Sequence, residues 1–234
     1  MSAKGFFITG TDTGVGKTVV TACLASLFRK HHVNAGVMKP VETGVTSGGG
    51  KISDAEFLLR ASGVRDTLPE VSPCRLTTPA SPYQAARLEN RSVDTAEITG
   101  AFYRLAQRHD LMLVEGIGGL LTPITRTFRV IDLVAEWSLP LIVVSRLTLG
   151  TINHTLLTIG AAESLGIKLA GVIFNHPDDG ATSAIEKTAP AAVRELSGVR
   201  VLGELPFIRD VSSFPAKLLA GIEESIDFDF LRTL

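Results

Sequence analysis

The sequence predicts an α/β fold with a mostly parallel central sheet and helices on both faces. Two observations support this class. Short apolar runs recur along the chain, and they are continuously apolar rather than alternating, as strands covered on both faces are. Segments with apolar residues at three- and four-residue spacing separate most of these runs, and strands that alternate with helices favour a parallel sheet.

The predicted elements cover nearly the whole chain. Strands are predicted at 6–8, 35–38, 111–114, 139–144, 169–174 and 200–202. Helices are predicted at 18–30, 53–61, 95–107, 151–165 and 182–196. Because no long linker separates two halves, we expect residues 1–234 to form a single domain.

Loops rich in Gly, Thr, Pro and Asp follow predicted strands at 43–50, 116–129 and 175–181. In open α/β sheets, ligands bind at the carboxyl ends of the strands. We therefore expect these loops to converge on the loop after the first strand and to form one site.

The composition argues against several classes of protein. With 23 basic and 24 acidic residues, the formal net charge is −1, and no basic run would follow a phosphate backbone, so no nucleic-acid partner is expected. No apolar stretch approaches the ~20 residues that span a bilayer, so no membrane partner is expected. Cys23 and Cys74 lack zinc-site spacing and are too few for a disulfide framework, which favours free thiols and a cytoplasmic location.

The strongest motif is Gly-Thr-Asp-Thr-Gly-Val-Gly-Lys-Thr at 10–18, between a predicted strand and a predicted helix. Its backbone N–H groups and the helix N-terminus would bind phosphate, Lys17 would reach the β- and γ-phosphates, and Thr18 would hold Mg²⁺ through its hydroxyl. The alternative is a glycine-rich turn before an ordinary amphipathic helix. Five residues separate Gly10 from Gly16, one more than usual. The context nevertheless predicts a P-loop NTPase fold.

Three other polar residues are expected at the same edge of the sheet. Glu115 ends the strand at 111–114, where an acidic Mg²⁺ partner is usual, although a solvated turn residue is the alternative. Lys39 is held extended by Pro40 and would stabilise a carbamate or a transferring phosphoryl group, unless it pairs with a surface acid. Asp54 opens a helix, and it either complements the helix dipole or binds Mg²⁺.

Six segments, in order and over nearly the whole chain, resemble motifs of the dethiobiotin synthetase family. They are 10–18, 39–44, 53–55, 114–119, 150–154 and 203–206. The first segment alone indicates only a nucleotide-binding protein, whereas the set of six is specific.

The resemblance implies roles for individual residues. The catalytic residues would be Lys39 and Lys17. The nucleotide-binding residues would be Asp12, Thr13, Gly14, Val15, Gly16, Lys17, Thr18, Asn175 and Pro206. The magnesium ligands would be Thr18, Asp54 and Glu115. The substrate-binding residues would be Thr11, Lys39, Thr43, Gly118, Leu149, Gly150, Thr151 and Asn153. The family often has an acidic residue in place of Gly14, so a contact made by that side chain is absent here.

The resemblance also implies a reaction, with ATP and Mg²⁺ as cofactors. CO2 would carboxylate 7,8-diaminopelargonic acid to a carbamate, ATP would activate the carbamate as a carbamic-phosphoric anhydride, and ring closure would give dethiobiotin, ADP and phosphate. Family members are homodimers in which the diamino acid lies at the interface and a helix N-terminus of the neighbouring subunit receives its carboxylate. The segment 149–153 matches that helix start, where free N–H groups attract an anion.

Two other classes are alternatives: partition-type ATPases, which share the strand order and the phosphate loop, and a class of ligases that is related in fold. Partition-type ATPases have an additional lysine early in the phosphate loop, where this chain has Asp12. ATP-dependent amidoligases of cofactor synthesis usually add a glutaminase domain, for which 234 residues leave no room.

Overall fold

A computed structural model describes residues 3–46, 52–176, 178–180, 183–208 and 222–234, with residue 185 described by its backbone alone. Parts of two predicted loops, at 47–50 and at 177 and 181, lie outside the described residues. The predicted helix start at Thr182 also lies outside them.

Eight strands are present in the described part of the chain. They are β1 (Gly5–Gly10), β2 (Ala35–Met38), β3 (Val41–Glu42), β4 (Cys74–Arg75), β5 (Leu111–Gly119), β6 (Leu141–Arg146), β7 (Leu169–Asn175) and β8 (Val201–Leu205). Six of them form one parallel sheet in the order β2-β5-β1-β6-β7-β8, and β3 pairs with β4 in a separate parallel sheet. The parallel sheet agrees with the prediction.

The helices alternate with these strands. They are α1 (Lys17–Lys30), α2 (Asp54–Ser62), α3 (Leu68–Val71), α4 (Pro82–Leu88), α5 (Thr95–Ala106), α6 (Val130–Trp137), α7 (Thr151–Glu163), α8 (Ala184–Ser197) and α9 (Phe228–Thr233). None of the described helices is long and apolar enough to cross a bilayer.

Alternating side chains of the central strands supply two hydrophobic clusters, one on each face of the sheet. On β1, Phe7 packs in the cluster formed with α4 to α8, and its ring lies 6.2 Å from that of Trp137. The next residue, Ile8, belongs to the cluster formed with α1, α2 and α9. Both residues have no solvent exposure. The predicted helices on both faces are therefore confirmed.

The sequence prediction differs from the structure at several short elements. It placed a loop from Gly116 onward, whereas β5 continues to Gly119, because that residue still pairs with Gly10 across an irregular register. The two-residue strands β3 and β4 and the helices α3, α4, α6 and α9 were not predicted. Each is shorter than the window over which a hydrophobic period can be recognised.

Candidate active site

The loop between β1 and α1 has the geometry of a phosphate-binding loop. Gly14 and Gly16 have φ angles of 72° and 102°, in the left-handed region that favours glycine. No side chain caps α1, and its first turn contains no acidic residue, so its N-terminal N–H groups are open to an anion. Lys17 Nζ donates to the carbonyl oxygen of Asp12 at 2.9 Å, so this lysine lies over its own loop.

Asn175, at the end of β7, lies directly against this loop. Its Nδ2 donates to the carbonyl oxygen of Val15 at 3.1 Å. A Cβ atom on Gly16 would lie 2.3 Å from the same nitrogen, so the close approach requires glycine. The contact joins the end of β7 to the phosphate loop.

Lys39 lies at the centre of a buried cluster beside the loop. Its Nζ donates to Glu115 Oε1 at 2.5 Å, to Asp54 Oδ2 at 3.0 Å and to the carbonyl oxygen of Gly116 at 3.3 Å. The side chains of Lys39 and Glu115 are 3% and 0% exposed, whereas that of Asp54 is half exposed. The cluster therefore has a buried side and a side open to a ligand.

Thr18 connects the phosphate loop to this cluster. Its Oγ1 donates to Glu115 Oε1 at 2.8 Å, while Glu115 Oε2 is buried without a hydrogen-bond partner among the described residues. Two carboxylates and a hydroxyl suit Mg²⁺, a hard cation that takes oxygen ligands and is usually held by one or two carboxylates together with substrate phosphates. No group of three or more His, Cys, Asp or Glu in the described part of the chain is placed to hold a metal alone.

Burial and neighbouring charges act in opposite directions on the two lysines. Burial, reinforced by the positive charge of Lys39, lowers the pKa of Lys17 to about 8. Burial would also lower the pKa of Lys39, but the charges of Glu115 and Asp54 outweigh it and raise that pKa above its ordinary value. Lys39 is thus held as a cation, and it lowers the pKa of Asp54 against the effect of burial.

The comparisons with known proteins agree with this site. A family model described as AAA domain matches residues 4–214. A protein of Thermodesulfovibrio yellowstonii is 40% identical over 89% of this chain and 90% of its own length, and one of Nitrosopumilus maritimus is 38% identical over 97% and 99%. A protein of Bacillus subtilis strain 168 is 37% identical over 89% and 90%. All three are named ATP-dependent dethiobiotin synthetase BioD. This chain belongs to the dethiobiotin synthetase family.

Solved structures at lower identity share the fold of this family member. A ParA family ATPase from Chlorobium tepidum TLS has a TM-score of 0.52 at 14% identity, over 89% of this chain and 86% of that one. The MinD cell division protein of Aquifex aeolicus has a TM-score of 0.54 at 17% identity, over 88% and 84%. Identities this low show the fold alone, and that fold agrees with the predicted α/β class.

The residues predicted to bind the substrate of the dethiobiotin synthetase family are spread along the same edge. Thr11 lies in a groove of about 390 Å³ whose other walls include Gly119, Leu121, His154 and Leu157. This groove places the outer face of α7 beside the phosphate loop.

The start of α7 is firmly anchored. Gly150, with φ 91°, precedes the helix and provides no side-chain cap. Thr151 is buried, and its hydroxyl is 2.8 Å from Ser145 Oγ. Leu149 is 84% exposed, and Asn153 is also exposed. Within the described ranges, no hydrogen bond joins residues 149–153 to the Lys39 cluster.

The remaining predicted residues lie near strand ends, outside the Lys39 cluster. Thr43 follows β3 and is half buried, and Pro206 follows β8 and is exposed. Gly118 has φ 60°, and a Cβ atom there would lie 2.5 Å from Thr122 Oγ1. None of these residues takes part in the hydrogen bonds of the Lys39 cluster as far as the structure describes them.

Two residues that contact the cluster's supporting helix had no predicted role. Glu42 lies inside the matched segment 39–44. Arg75 lies on β4 and is distant in sequence from every matched segment. The position of Glu42 inside that matched segment is its only signal in the sequence. Nothing in the sequence signals Arg75.

Proposed function

We propose that this protein catalyses the ATP-dependent carboxylation and ring closure of 7,8-diaminopelargonic acid with CO2, which gives dethiobiotin, ADP and phosphate. The observation that carries this proposal is the direct link from the phosphate loop through Thr18 to the Lys39–Glu115 pair. That link supports a reaction in which ATP phosphorylates a small anion held beside Lys39. The names of the relatives support the same reaction.

The chain would act by positioning and by neutralising charge. Lys17 leaves the carbonyl of Asp12 to contact the β- and γ-phosphates, and Lys39 contacts the carbamate and the transferring phosphoryl group. Thr18, Asp54 and Glu115 hold Mg²⁺, which neutralises phosphate charge when it is bound. Such preorganised charges are the main resource of phosphoryl-transfer enzymes.

The bond-forming steps need no nucleophile from the protein. One amine of the substrate captures CO2 as a carbamate, and a carbamate oxygen accepts the γ-phosphoryl group to give the carbamic-phosphoric anhydride. The second amine attacks the activated carbon, the ring closes and phosphate leaves. Holding both ends of the diamine in one geometry supplies much of the rate enhancement.

Nucleotide binding is assigned to the loop and to two strand ends. Asp12 to Thr18 surround the phosphates through backbone N–H groups, while Asn175 and Pro206 adjoin the base. The contact from Asn175 to the carbonyl of Val15 supports this arrangement, because it fixes the amide beside the loop.

A homodimer with the substrate at its interface is part of this proposal. The α7 segment exposes Leu149 by 84% and Leu157 by 64%, and Leu121 across the groove is 55% exposed. Large apolar side chains clustered on one surface favour contact with a partner. In this arrangement, the start of α7 at Leu149, Gly150 and Thr151 receives the substrate carboxylate of the neighbouring subunit, and Thr11, Thr43, Gly118 and Asn153 line the same substrate site. The N–H of Thr151 itself donates to the carbonyl oxygen of Thr148 at 3.0 Å, so the donors to the carboxylate are the other N–H groups of this turn.

Mixed dimers test this arrangement. Lys39→Gln removes the catalytic cation of one subunit, and Gly150→Asp places a negative charge at the helix start. An added Cβ atom there has no neighbour nearer than 3.9 Å, and although the φ of 91° strains any side chain, aspartate adopts positive φ more readily than most residues. We expect each variant alone to be inactive and their mixture to regain activity, because hybrid dimers contain one intact site. A monomeric protein in sedimentation velocity, or no regain of activity on mixing, would refute the shared site.

The single-domain organisation of residues 1–234 is also a proposal. It is supported by the two hydrophobic clusters on opposite faces of one sheet, since both draw residues from the N-terminal and the C-terminal halves of the described chain.

The decisive experiment for the reaction is the fixation of labelled bicarbonate into an acid-stable product by purified protein. We expect label to be fixed only when 7,8-diaminopelargonic acid and MgATP are both present. ATP hydrolysis without fixation would instead favour a nucleotide-switched ATPase.

A further inference from the structure

A pair of charged residues outside the cluster holds the start of α2. Glu42 Oε1 accepts a hydrogen bond from the backbone N–H of Ala55 at 3.3 Å. Glu42 Oε2 accepts from Arg75 Nε at 3.3 Å, and Arg75 Nη2 donates to Ser53 Oγ at 3.3 Å. Ser53 and Ala55 are the two residues on either side of Asp54.

This pair lies on two hydrogen-bonded strands, β3 and β4. Glu42 and Arg75 are opposite each other in the β3–β4 pair, and the N–H of Leu76 donates to the carbonyl oxygen of Glu42 at 2.9 Å. Glu42 is only 4% exposed, and a buried carboxylate is costly unless its oxygens are paired. Here both oxygens are engaged, one by the helix start and one by Arg75.

Helix capping alone does not account for this arrangement. Ser53 and Glu56 already form a capping box, in which the N–H of Ser53 donates to Glu56 Oε2 at 2.8 Å and the N–H of Glu56 donates to Ser53 Oγ at 3.3 Å. The contacts of Glu42 and Arg75 are additional, and they join α2 to a different sheet.

The side chain of Asp54 is half exposed, so its position follows largely from where the backbone at the start of α2 is held. Its Oδ2 reaches Lys39 at 3.0 Å, and Lys39 lies three residues before Glu42 on the same segment. One short stretch of chain therefore carries the ammonium group and also holds the helix that presents the carboxylate.

We propose that Glu42 and Arg75 are positioning residues that hold Asp54 where it binds the metal of MgATP. This inference rests on the proposed role of Asp54 as a metal ligand. Second-sphere partners of this kind orient the groups that contact a metal, and their loss typically weakens metal affinity by about 10–100-fold.

The first test measures the affinity for Mn²⁺ by electron paramagnetic resonance, with a non-hydrolysable ATP analogue bound. Glu42→Gln removes the charge at nearly constant shape, and Arg75→Met removes both hydrogen bonds from a partly exposed side chain. We expect each variant to weaken Mn²⁺ binding by about tenfold. Arg91→Met is the matched control, because Arg91 donates to the backbone carbonyl of Arg75 and, among the described residues, forms no hydrogen bond with α2; it should change the affinity by less than about twofold.

The second test separates positioning from a general loss of stability. The Mg²⁺ concentration that half-saturates ADP formation should rise in both variants, and the limiting rate at saturating Mg²⁺ should recover. A purely structural role would lower the melting temperature and leave the Mg²⁺ requirement unchanged, and that result would overturn the proposal.

Asp54→Asn is the reference variant, because it tests the metal-ligand role of Asp54 separately from the positioning role of Glu42 and Arg75. If Asp54→Asn weakens Mn²⁺ binding and the Glu42 and Arg75 variants do not, the positioning role is wrong while the proposed function stands. If Asp54→Asn itself leaves the affinity unchanged, Asp54 is not a metal ligand and the positioning role fails with it.

Discussion

Lys39 Nζ lies 2.5 Å from Glu115 Oε1, and both side chains are almost fully excluded from solvent. The same ammonium group reaches Asp54, so one internal cation faces both carboxylates of the proposed metal site. Mg²⁺ bound there would compete with Lys39 for the same negative charge, while Glu115 Oε2, which has no hydrogen-bond partner among the described residues, is open to the metal.

This competition predicts that Lys39→Gln binds Mn²⁺ more tightly than the unsubstituted protein when no nucleotide is present. We expect a gain of at least about tenfold, because a unit charge about 4 Å away contributes about 4 kcal/mol at an effective dielectric constant of about 20, and about 1.4 kcal/mol corresponds to a factor of ten. Electron paramagnetic resonance of free Mn²⁺ measures the affinity. Lys168→Gln, at an exposed position, is the charge-matched control. Weaker binding by Lys39→Gln would show that Lys39 does not compete with the metal.

In the complete reaction, Lys39→Gln should lower the turnover. We expect Lys39→Gln to bind the ATP analogue with little change and to lose about 10²–10³-fold in turnover, the usual cost of removing one group that stabilises transition-state charge. Calorimetry of analogue binding and fixation of labelled bicarbonate measure the two quantities. Unchanged turnover would remove Lys39 from the mechanism.

Gly14 and Gly16 both have left-handed backbone angles, so alanine substitutions at these two positions can be compared directly. An added Cβ atom at Gly14 meets nothing within 4 Å, whereas one at Gly16 lies 2.3 Å from Asn175 Nδ2. Gly14→Ala should therefore cost only the roughly 1–2 kcal/mol of a left-handed residue and keep ATP binding. Gly16→Ala should also displace Asn175 and lose most of the affinity for ATP. Thermal unfolding and calorimetry compare the variants, and equal effects at both positions would contradict the steric argument.

Asn175→Ala should raise the KM for ATP by about tenfold with little change in kcat. The substitution removes the donor to the Val15 carbonyl, and lost contacts made equally in the ground and transition states affect KM alone. Steady-state kinetics at saturating diamine measure the effect. Asn34→Ala, before β2 at the opposite edge of the sheet, is the control. A fall in kcat at constant KM would place Asn175 in the chemical step instead.

The lowered pKa of Lys17 predicts proton uptake when ATP binds. With a pKa of about 8, Lys17 is largely neutral in the free protein above that pH, although Glu115, Asp54 and Asp12 favour its charged form. Phosphate raises the pKa of Lys17, so binding at about pH 8.5 should take up part of a proton and the affinity should fall as the pH rises. At about pH 7 no uptake is expected from Lys17.

Calorimetry in two buffers of different ionisation enthalpy measures this uptake. Binding enthalpies that are independent of the buffer at about pH 8.5 would show that Lys17 is already protonated there.

The same pKa also affects folding stability without ATP. The unfolded chain keeps the Lys17 proton up to about the ordinary pKa of 10.5, whereas the folded protein loses it near pH 8, so the contribution of Lys17 to the free energy of unfolding rises between about pH 8 and 10.5.

The sequence by itself determined the fold class, and it predicted the groups that we propose to surround the phosphate. Continuous apolar runs require strands buried on both faces, and a motif such as 10–18 acts through backbone geometry that its own glycines allow. These are properties of local segments. They are readable without knowledge of the residues that contact them.

Only the tertiary structure decided how the charged groups are paired. The sequence alone also allowed an ordinary surface or helix-end role for each of Lys39, Asp54 and Glu115. They come together only because the end of β2, the start of α2 and β5 lie next to one another. The roles of Glu42 and Arg75 were hidden for the same reason, because β3 and β4 contain two residues each and have no recognisable period. Pairing between distant charges is set by chain topology, and the energies that fix it arise only when the groups are brought together out of water.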